Sequence, residues 1–276
     1  MDRATQQRRV DTFRQLHHGE HILVLPNAWD VATARVFQRA GFPAVATTSA
    51  GIANALGYAD GERISREEMV AMVERIAHAL SVPLTADMEA GYADTLQGLE
   101  ETARLVVVSG AVGLNLEDAM AGEASPLYDI QLAADRVRAV RESSAAAGVS
   151  LVINARTDVF LANVGEPETR LAHAIRRANA YREAGADCLF IPGVRDAETI
   201  ATLAREIAGP INVLAGPGVP STPELERLGV ARVSVGSGPA RAALGLVQRI
   251  ARELRERGTY EGFTTGAMTY AEANEL

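Results

Sequence analysis

The residues best equipped for chemistry fall in four short segments. One reads Asp87-Met88-Glu89-Ala90-Gly91-Tyr92 and a second Glu117-Asp118; the others are Asn154-Ala155-Arg156-Thr157-Asp158 and Thr47-Thr48-Ser49-Ala50-Gly51. Each closes a short apolar run of strand type, so ionisable or hydroxyl groups sit where a strand hands over to a loop. Carboxylates crowded at one such end repel one another unless a cation lies among them. An oxygen-only donor set suits Mg²⁺, or Mn²⁺ as the alternative, better than zinc. Asp87, Glu89 and Glu117 are therefore expected to hold a divalent ion. An acid in this position can equally cap the following helix or pair with an arginine, and Arg156 with Asp158 offers that pairing.

The elements that must position these groups follow from periodicity. Apolar, β-branched runs occur at 22–26, 44–48, 83–87, 112–117, 151–155, 188–192, 211–215 and 232–236. Amphipathic stretches lie near 30–40, 66–80, 95–109, 129–147, 167–184, 196–207, 222–228 and 239–257, so every strand is followed by a helix. The dipeptides Ala40-Gly41, Ser109-Gly110, Ala147-Gly148 and Ala184-Gly185 stand between a helical stretch and the next strand, where glycine ends a helix. Eight strand–helix pairs predict an α/β protein with a single (β/α)₈ barrel. Residues 1–276 read as one domain: an N-terminal helix within 1–20, the barrel over 21–258 and a helical tail over 259–276. Barrel active sites form at the carboxyl ends of the strands, which is where the four segments fall.

Composition narrows the partners. The chain has 276 residues, 47% hydrophobic and 22% charged, and a formal charge of -8 from 27 basic and 35 acidic residues. That balance argues against nucleic acid and anionic membranes. The basic runs, Arg176-Arg177 and Arg249 to Arg257, alternate with acids in helical patterns and read as solvated faces. The single cysteine, Cys188, excludes an internal disulfide and fits a reducing, cytoplasmic setting. Flanked by Leu189, Phe190 and Ile191, it reads as a small buried hydrophobe. The first twenty residues contain no apolar stretch of signal-peptide length, and no run of eighteen apolar residues occurs.

The segments TTSAGIANALGYAD, LTADMEAGYAD, NLEDA and INARTD, in that order and spacing, resemble the isocitrate lyase and phosphoenolpyruvate mutase superfamily over about 22–245. The resemblance implies a barrel that binds Mg²⁺ and a 2-oxo acid or its enolate. It also implies a homo-oligomer, dimer or tetramer, with an exchanged C-terminal helix. Asp87 matches the main metal-binding aspartate, Glu89 the second acid of that motif, Glu117 the acid of the ED pair, and Asp60 an aspartate after the strand-2 loop. Glu89 stands where many members carry aspartate. Arg156 matches the arginine that grips the substrate, a role suited to a permanently charged group with paired donors. Thr48, Ser49, Ala50 and Gly51 resemble the turn that receives the substrate carboxylate, where small side chains let an anion approach the backbone.

The departures limit the reaction. Lyases of the superfamily carry a KKCGH or KRCGH loop after strand 4, and phosphonomutases a lysine and an asparagine there. Residues 119–128 read AMAGEASPLY and hold none of these. Pro192-Gly193 also lacks the glutamate or histidine common after strand 6. Tyr92, Tyr128 and Glu123 are the remaining proton-transfer candidates, and Asn212, Ser234 and Ser237 the remaining pocket candidates. The expected function is a Mg²⁺-dependent lyase or decarboxylase that cleaves a small 2-oxo acid or hydroxy-di/tricarboxylate through a stabilised enolate, with Arg156, Glu117 and Tyr92 at the reacting atoms. Two alternatives stand beside it: a phosphonopyruvate-type P–C bond enzyme, and a protein that binds 2-oxo acids such as 2-oxoglutarate with little turnover.

Overall fold

The computed structural model describes residues 2–120 and 127–276. Strands β1 (Leu23–Leu25), β2 (Asn27–Ala28), β3 (Val45–Thr47), β4 (Leu84–Asp87), β5 (Gly113–Glu117), β6 (Val152–Arg156), β7 (Cys188–Phe190), β8 (Ile211–Leu214) and β9 (Arg232–Ser234) form one parallel sheet. Its order is β1-β9-β8-β7-β6-β5-β4-β3-β2. The first expected strand is thus two. Pro26, which has no N–H to give to a ladder, divides it: β1 pairs with β9 and β2 with β3, and this divided strand joins the two ends of the sheet into a nearly closed barrel.

The surrounding helices are α2 (Val31–Arg39), α4 (Arg66–Ala79), α5 (Leu96–Val108), α6 (Ile130–Ala146), α7 (Pro167–Glu183), α8 (Ala197–Glu206), α9 (Thr222–Arg227) and α10 (Gly238–Glu256). Four of them end as the sequence foretold: Gly41, Gly110, Gly148 and Gly185 adopt φ of 89°, 89°, 85° and 110°. One helix was not foreseen. α3 (Ser49–Ala55) starts directly after β3, with Thr48 as its cap. The helices bury Met69, Val73 and Ile76, Leu99 and Val106, and Val137 and Val140 in the same core as Leu114, Ile153 and Val213 of the strands. Each such side chain contributes roughly 1.5–3 kcal/mol on burial.

The N-terminal helix α1 (Arg3–Leu16) seals the end of the barrel opposite the site. Arg9 donates to the Leu80 carbonyl, Gln6 to those of Val107 and Ala111, and Arg14 to that of Ser150 and to Asp187, all just ahead of strands. Phe13 is fully buried, and its ring lies where a Cβ on residue 113 would approach within 3.2 Å; the same Cβ would meet the Val152 carbonyl at 2.6 Å. A side chain at 113 would therefore collide with β6 and crowd the seat of the helix. The tail carries α11 (Glu261–Thr264) and α12 (Tyr270–Asn274), and its last residues return to α2, where Arg35 and Arg39 donate to the Leu276 and Glu275 carbonyls. α10 is amphipathic yet buries only Ala240 and Glu253, leaving Leu244, Leu246, Val247 and Leu254 exposed. No helix among the described residues is long and apolar enough to cross a membrane.

Candidate active site at the carboxyl ends of the strands

The register decides which residues meet. Side chains of directly paired residues share a face, so the pairs Asp87–Asn115, Asn115–Asn154, Glu117–Arg156, Arg156–Phe190, Phe190–Asn212 and Asn212–Arg232 place one polar set inside the barrel. Of these, Asp87, Asn115, Asn154, Arg156, Phe190 and Arg232 line a cavity of about 150 Å³. A cavity of that size accommodates a molecule such as benzene, the size class of pyruvate or oxalate. Its wall includes Thr48, Ser49, Ala50, Asp60, Asp87 and Arg156, together with Asn115, Asn154, Arg232, Ser234 and Ser237.

Asp87 is the centre of this wall. Its Oδ2 accepts both the backbone N–H and the hydroxyl of Ser49 at 2.9 Å, and its Oδ1 accepts from Asn115 Nδ2 at 2.9 Å. Its own N–H donates to Thr47 Oγ1 at 2.8 Å. Asn154 in turn donates to Asn115 Oδ1 at 2.9 Å, so the carboxylate sets the orientation of both amides. Asp60 lies beside it; burial first, and then the charge of Asp87, pushes its carboxyl above the usual range.

Arg156 is held from two sides. Its Nε and Nη2 grip Asp158 at 2.5 and 2.9 Å, and its Nη1 donates to Glu117. Burial works against its charge, but Glu117 and Asp158 hold the guanidinium firmly protonated. Glu117 is largely shielded from solvent too, and desolvation drives its carboxyl well up against the pull of Arg156, with Asp158, Asp87 and Glu89 adding to the rise. The salt bridge to Asp158 foreseen as an alternative role for Arg156 is thus present, while the same guanidinium still faces the cavity.

Glu89 and Tyr92 build the loop behind Asp87. Tyr92 donates its hydroxyl to Glu89 Oε1 at 2.7 Å, the Glu62 N–H donates to Glu89 Oε2 at 2.9 Å, and the Tyr92 N–H donates to Glu62 Oε1 at 2.7 Å. All three residues hold left-handed backbone, with φ of 48°, 54° and 56° for Glu89, Tyr92 and Glu62. Non-glycine residues in that region carry strain of order 1–3 kcal/mol each, which the surroundings must impose. Burial raises the Glu89 carboxyl to about 7, with Asp87 and Asp60 adding to the rise against the Tyr92 hydrogen bond. Burial and then the Glu89 charge push the Tyr92 phenol well above its ordinary value.

Several expected site residues stand apart from the cavity. Gly51 is a packing glycine: a Cβ there would lie 2.8 Å from Trp29 Cβ and 2.6 Å from Thr48 Cγ2. Asn212 is fully buried and bonded to Ser234 at 3.0 Å. Glu89, Glu117 and Tyr92 lie behind the wall rather than on it. Tyr128 packs its ring on Arg136, with the guanidinium carbon 4.4 Å from the centroid. Cys188 is fully buried and desolvation pushes its thiol up to about 12, the inert role expected of it. Glu123 lies outside the described residues.

Other functional residues escaped sequence reasoning. Glu62, Asn115 and Arg232 belong to the site or its support. Asp118, read only as half of a pair with Glu117, is a buried hub that accepts from the Asp158 N–H at 2.9 Å, Arg177 Nε at 2.8 Å and the Tyr181 hydroxyl at 2.6 Å. The missed signal is period-two polarity: Asn115 and Glu117, Asn154 and Arg156, and Arg232 and Ser234 alternate with apolar residues in strands that helices cover from outside.

Three comparisons place the molecule among known proteins. The model of the phosphoenolpyruvate phosphomutase family matches residues 13–255. An uncharacterized protein of Mycobacterium tuberculosis is 35% identical over 245 residues, 89% of each chain. The oxaloacetate decarboxylase of Rhodopseudomonas palustris is 30% identical over 215 residues, 76% of this chain and 71% of its own. A crystal structure from Burkholderia cenocepacia J2315, described as a lyase/mutase, superposes with a TM-score of 0.92 at 38% identity, covering 98% of this chain and 96% of that one. By family model, sequence and fold together, the chain belongs to the phosphoenolpyruvate phosphomutase family, within the isocitrate lyase and phosphoenolpyruvate mutase superfamily of enzymes.

Proposed function

We propose that this chain is a Mg²⁺-dependent lyase or decarboxylase that acts on a small 2-oxo acid, in the manner of the oxaloacetate decarboxylase it resembles. One observation carries the reading: Asp87, Asp60, Ser49 and Arg156 converge on a single cavity of about 150 Å³ at the carboxyl ends of the strands.

The donor set fits the ion. Asp60, Glu89 and Glu117 are each pushed upward, with Asp87 contributing to every rise, and a divalent cation relieves that repulsion. No three acids among the described residues converge as direct ligands of one ion. Mg²⁺ usually takes only one or two carboxylates and keeps several waters. Asp87 would hold it directly, with Asp60, Glu89 and Glu117 reached through water. When bound, the ion supplies Lewis acidity toward the carboxylate and carbonyl oxygens of the substrate.

The chain's own residues do the rest. Asp87 occupies the Ser49 N–H and hydroxyl; were Asp87 to hold the cation instead, both donors would be free for a substrate carboxylate. Arg156 offers N–H groups beyond those committed to Glu117 and Asp158. Fixed in place, they stabilise negative charge that develops on the carbonyl oxygen as the bond breaks. Among the described residues no histidine, cysteine, lysine or tyrosine lines the cavity. Decarboxylation suits such a wall, because CO₂ departs without taking a proton.

Exposed Leu244, Val247 and Leu254 on α10 further support a homo-oligomer built by exchange of this helix, and the single cysteine suits a cytoplasmic setting. The test is a screen of oxaloacetate, 2-methylisocitrate, isocitrate and phosphonopyruvate with and without Mg²⁺, following pyruvate or glyoxylate. Oxaloacetate is expected to turn over only with the metal. Asp87→Ala should abolish Mg²⁺-dependent binding, and unchanged binding in that variant would sink the reading.

A further inference from the structure

Arg232 is the first residue of β9, deeper in the barrel than the Asp87 and Ser49 end of the cavity, and it lines that cavity while only 3% exposed. Among the described residues its guanidinium makes one hydrogen bond, from Nε to Ser234 Oγ at 3.2 Å. Among the described residues Nη1 has no partner and no carboxylate lies within ion-pair distance. A buried cation in that state is costly. Burial lowers its pKa to about 10, so it remains charged at neutral pH. Arg156, the other cation of the cavity wall, is already matched by Glu117 and Asp158. Arg232 is therefore the cation of the wall without a counter-charge in contact.

Two further polar atoms of the same wall lack partners among the described residues, Thr85 Oγ1 and Asn154 Oδ1. The threonine hydroxyl can donate to an anion held in the cavity. The Asn154 oxygen is an acceptor, because its amide nitrogen is committed to Asn115, and it suits a water that accompanies the anion.

We propose that Arg232 binds the second anionic group of the substrate, so that the cavity selects a 2-oxo dicarboxylate over a 2-oxo monocarboxylate. The proposal rests on the reading that the 2-oxo acid end is held near Asp87 and Ser49. The molecule then spans the cavity from the metal-binding mouth to the arginine at the floor. A monocarboxylate leaves the guanidinium unpaired and forfeits that contact.

The test is calorimetric titration of the full chain with Mg²⁺, using 3,3-difluorooxaloacetate as the dicarboxylate probe and pyruvate as the monocarboxylate. Wild-type protein is expected to prefer the dicarboxylate. Arg232→Gln should weaken the dicarboxylate roughly 10- to 100-fold, the range of one charge-assisted hydrogen bond, and leave pyruvate within about two-fold. Thermal melting establishes that the variant folds. Arg232→Lys, which keeps the charge with a shorter reach, should show an intermediate loss confined to the dicarboxylate, and it serves as the readout if the glutamine variant does not fold. Equal losses for both probes, or none for either, would overturn the role of Arg232. Wild-type protein that binds neither probe would instead overturn the reading of the Asp87 site.

Discussion

Asp118→Asn is the sharpest test of how the site is held. Asp118 is 2% exposed and Arg177 4%, so solvent screens their ion pair very little. The carboxylate also accepts from Tyr181 and from the Asp158 N–H, and Asp158 is the residue that grips Arg156. Asparagine keeps the shape but removes the charge and turns an acceptor into a donor facing Arg177 or Tyr181. Breaking a buried pair by changing one partner costs about 3–5 kcal/mol, mostly from the charge left alone. Unfolding entropy near 2.1 cal/mol/K per residue gives a chain of this length about 0.6 kcal/mol per degree, so the melting temperature should fall by roughly 5–9 °C. Asp135→Asn, which breaks an exposed pair with Arg138, is the control and should shift it by less than about 2 °C. Replacing both partners with apolar residues, as in Asp118→Leu with Arg177→Met, should recover part of the loss, since no unpaired charge remains. Calorimetric melting of the four proteins measures all of this. An Asp118→Asn shift no larger than the control's would refute the reasoning.

Two further outcomes are expected. Below pH 4.5 the Glu89 carboxyl is protonated in both folded and unfolded chains; between 4.5 and about 7 only the unfolded chain ionises, so native stability falls as pH rises and the loss is complete above about 7. Glu89→Gln lacks this loss, so its melting temperature should gain on wild type from pH 5 to pH 8 in chelator, and parallel profiles would contradict the burial account. Leu244 and Val247 are 56% and 60% exposed on one face of α10. Light scattering should therefore show wild type as a dimer or tetramer and Leu244→Glu with Val247→Glu as a folded monomer, whereas a monomeric wild type would remove the exchanged-helix proposal.

What the sequence made legible and what it hid have one physical cause. In a parallel barrel the outer face of each strand is covered by helices and must be apolar, so the strands and helices announce themselves by hydrophobic period, and the acids at 87, 89 and 117 stand out where the apolar run stops. The inner face obeys a different rule, because it can be polar wherever its groups bond to one another. Asn115 and Arg232 sit inside the runs GLNLE and RVS, where counting apolar residues absorbs them into the strand, while Asn154 and Asn212 stand out in VINAR and INVL without showing their partners. Register, which sequence alone did not supply, is what turns them into one connected set. The same cause explains why Gly51 and Asn212 stand off the cavity: a motif fixes residue order along the chain, but whether a side chain faces the opening depends on pairing and on neighbours such as Trp29 and Ser234. Helix α3 and the break at Pro26 escaped for a related reason, since a seven-residue helix and a two-residue strand are too short to show a period. A polar residue two positions before a functional strand end, in a strand otherwise apolar, is therefore itself a signal of the barrel interior, and Arg232, two positions before Ser234, is the instance with the largest charge to account for.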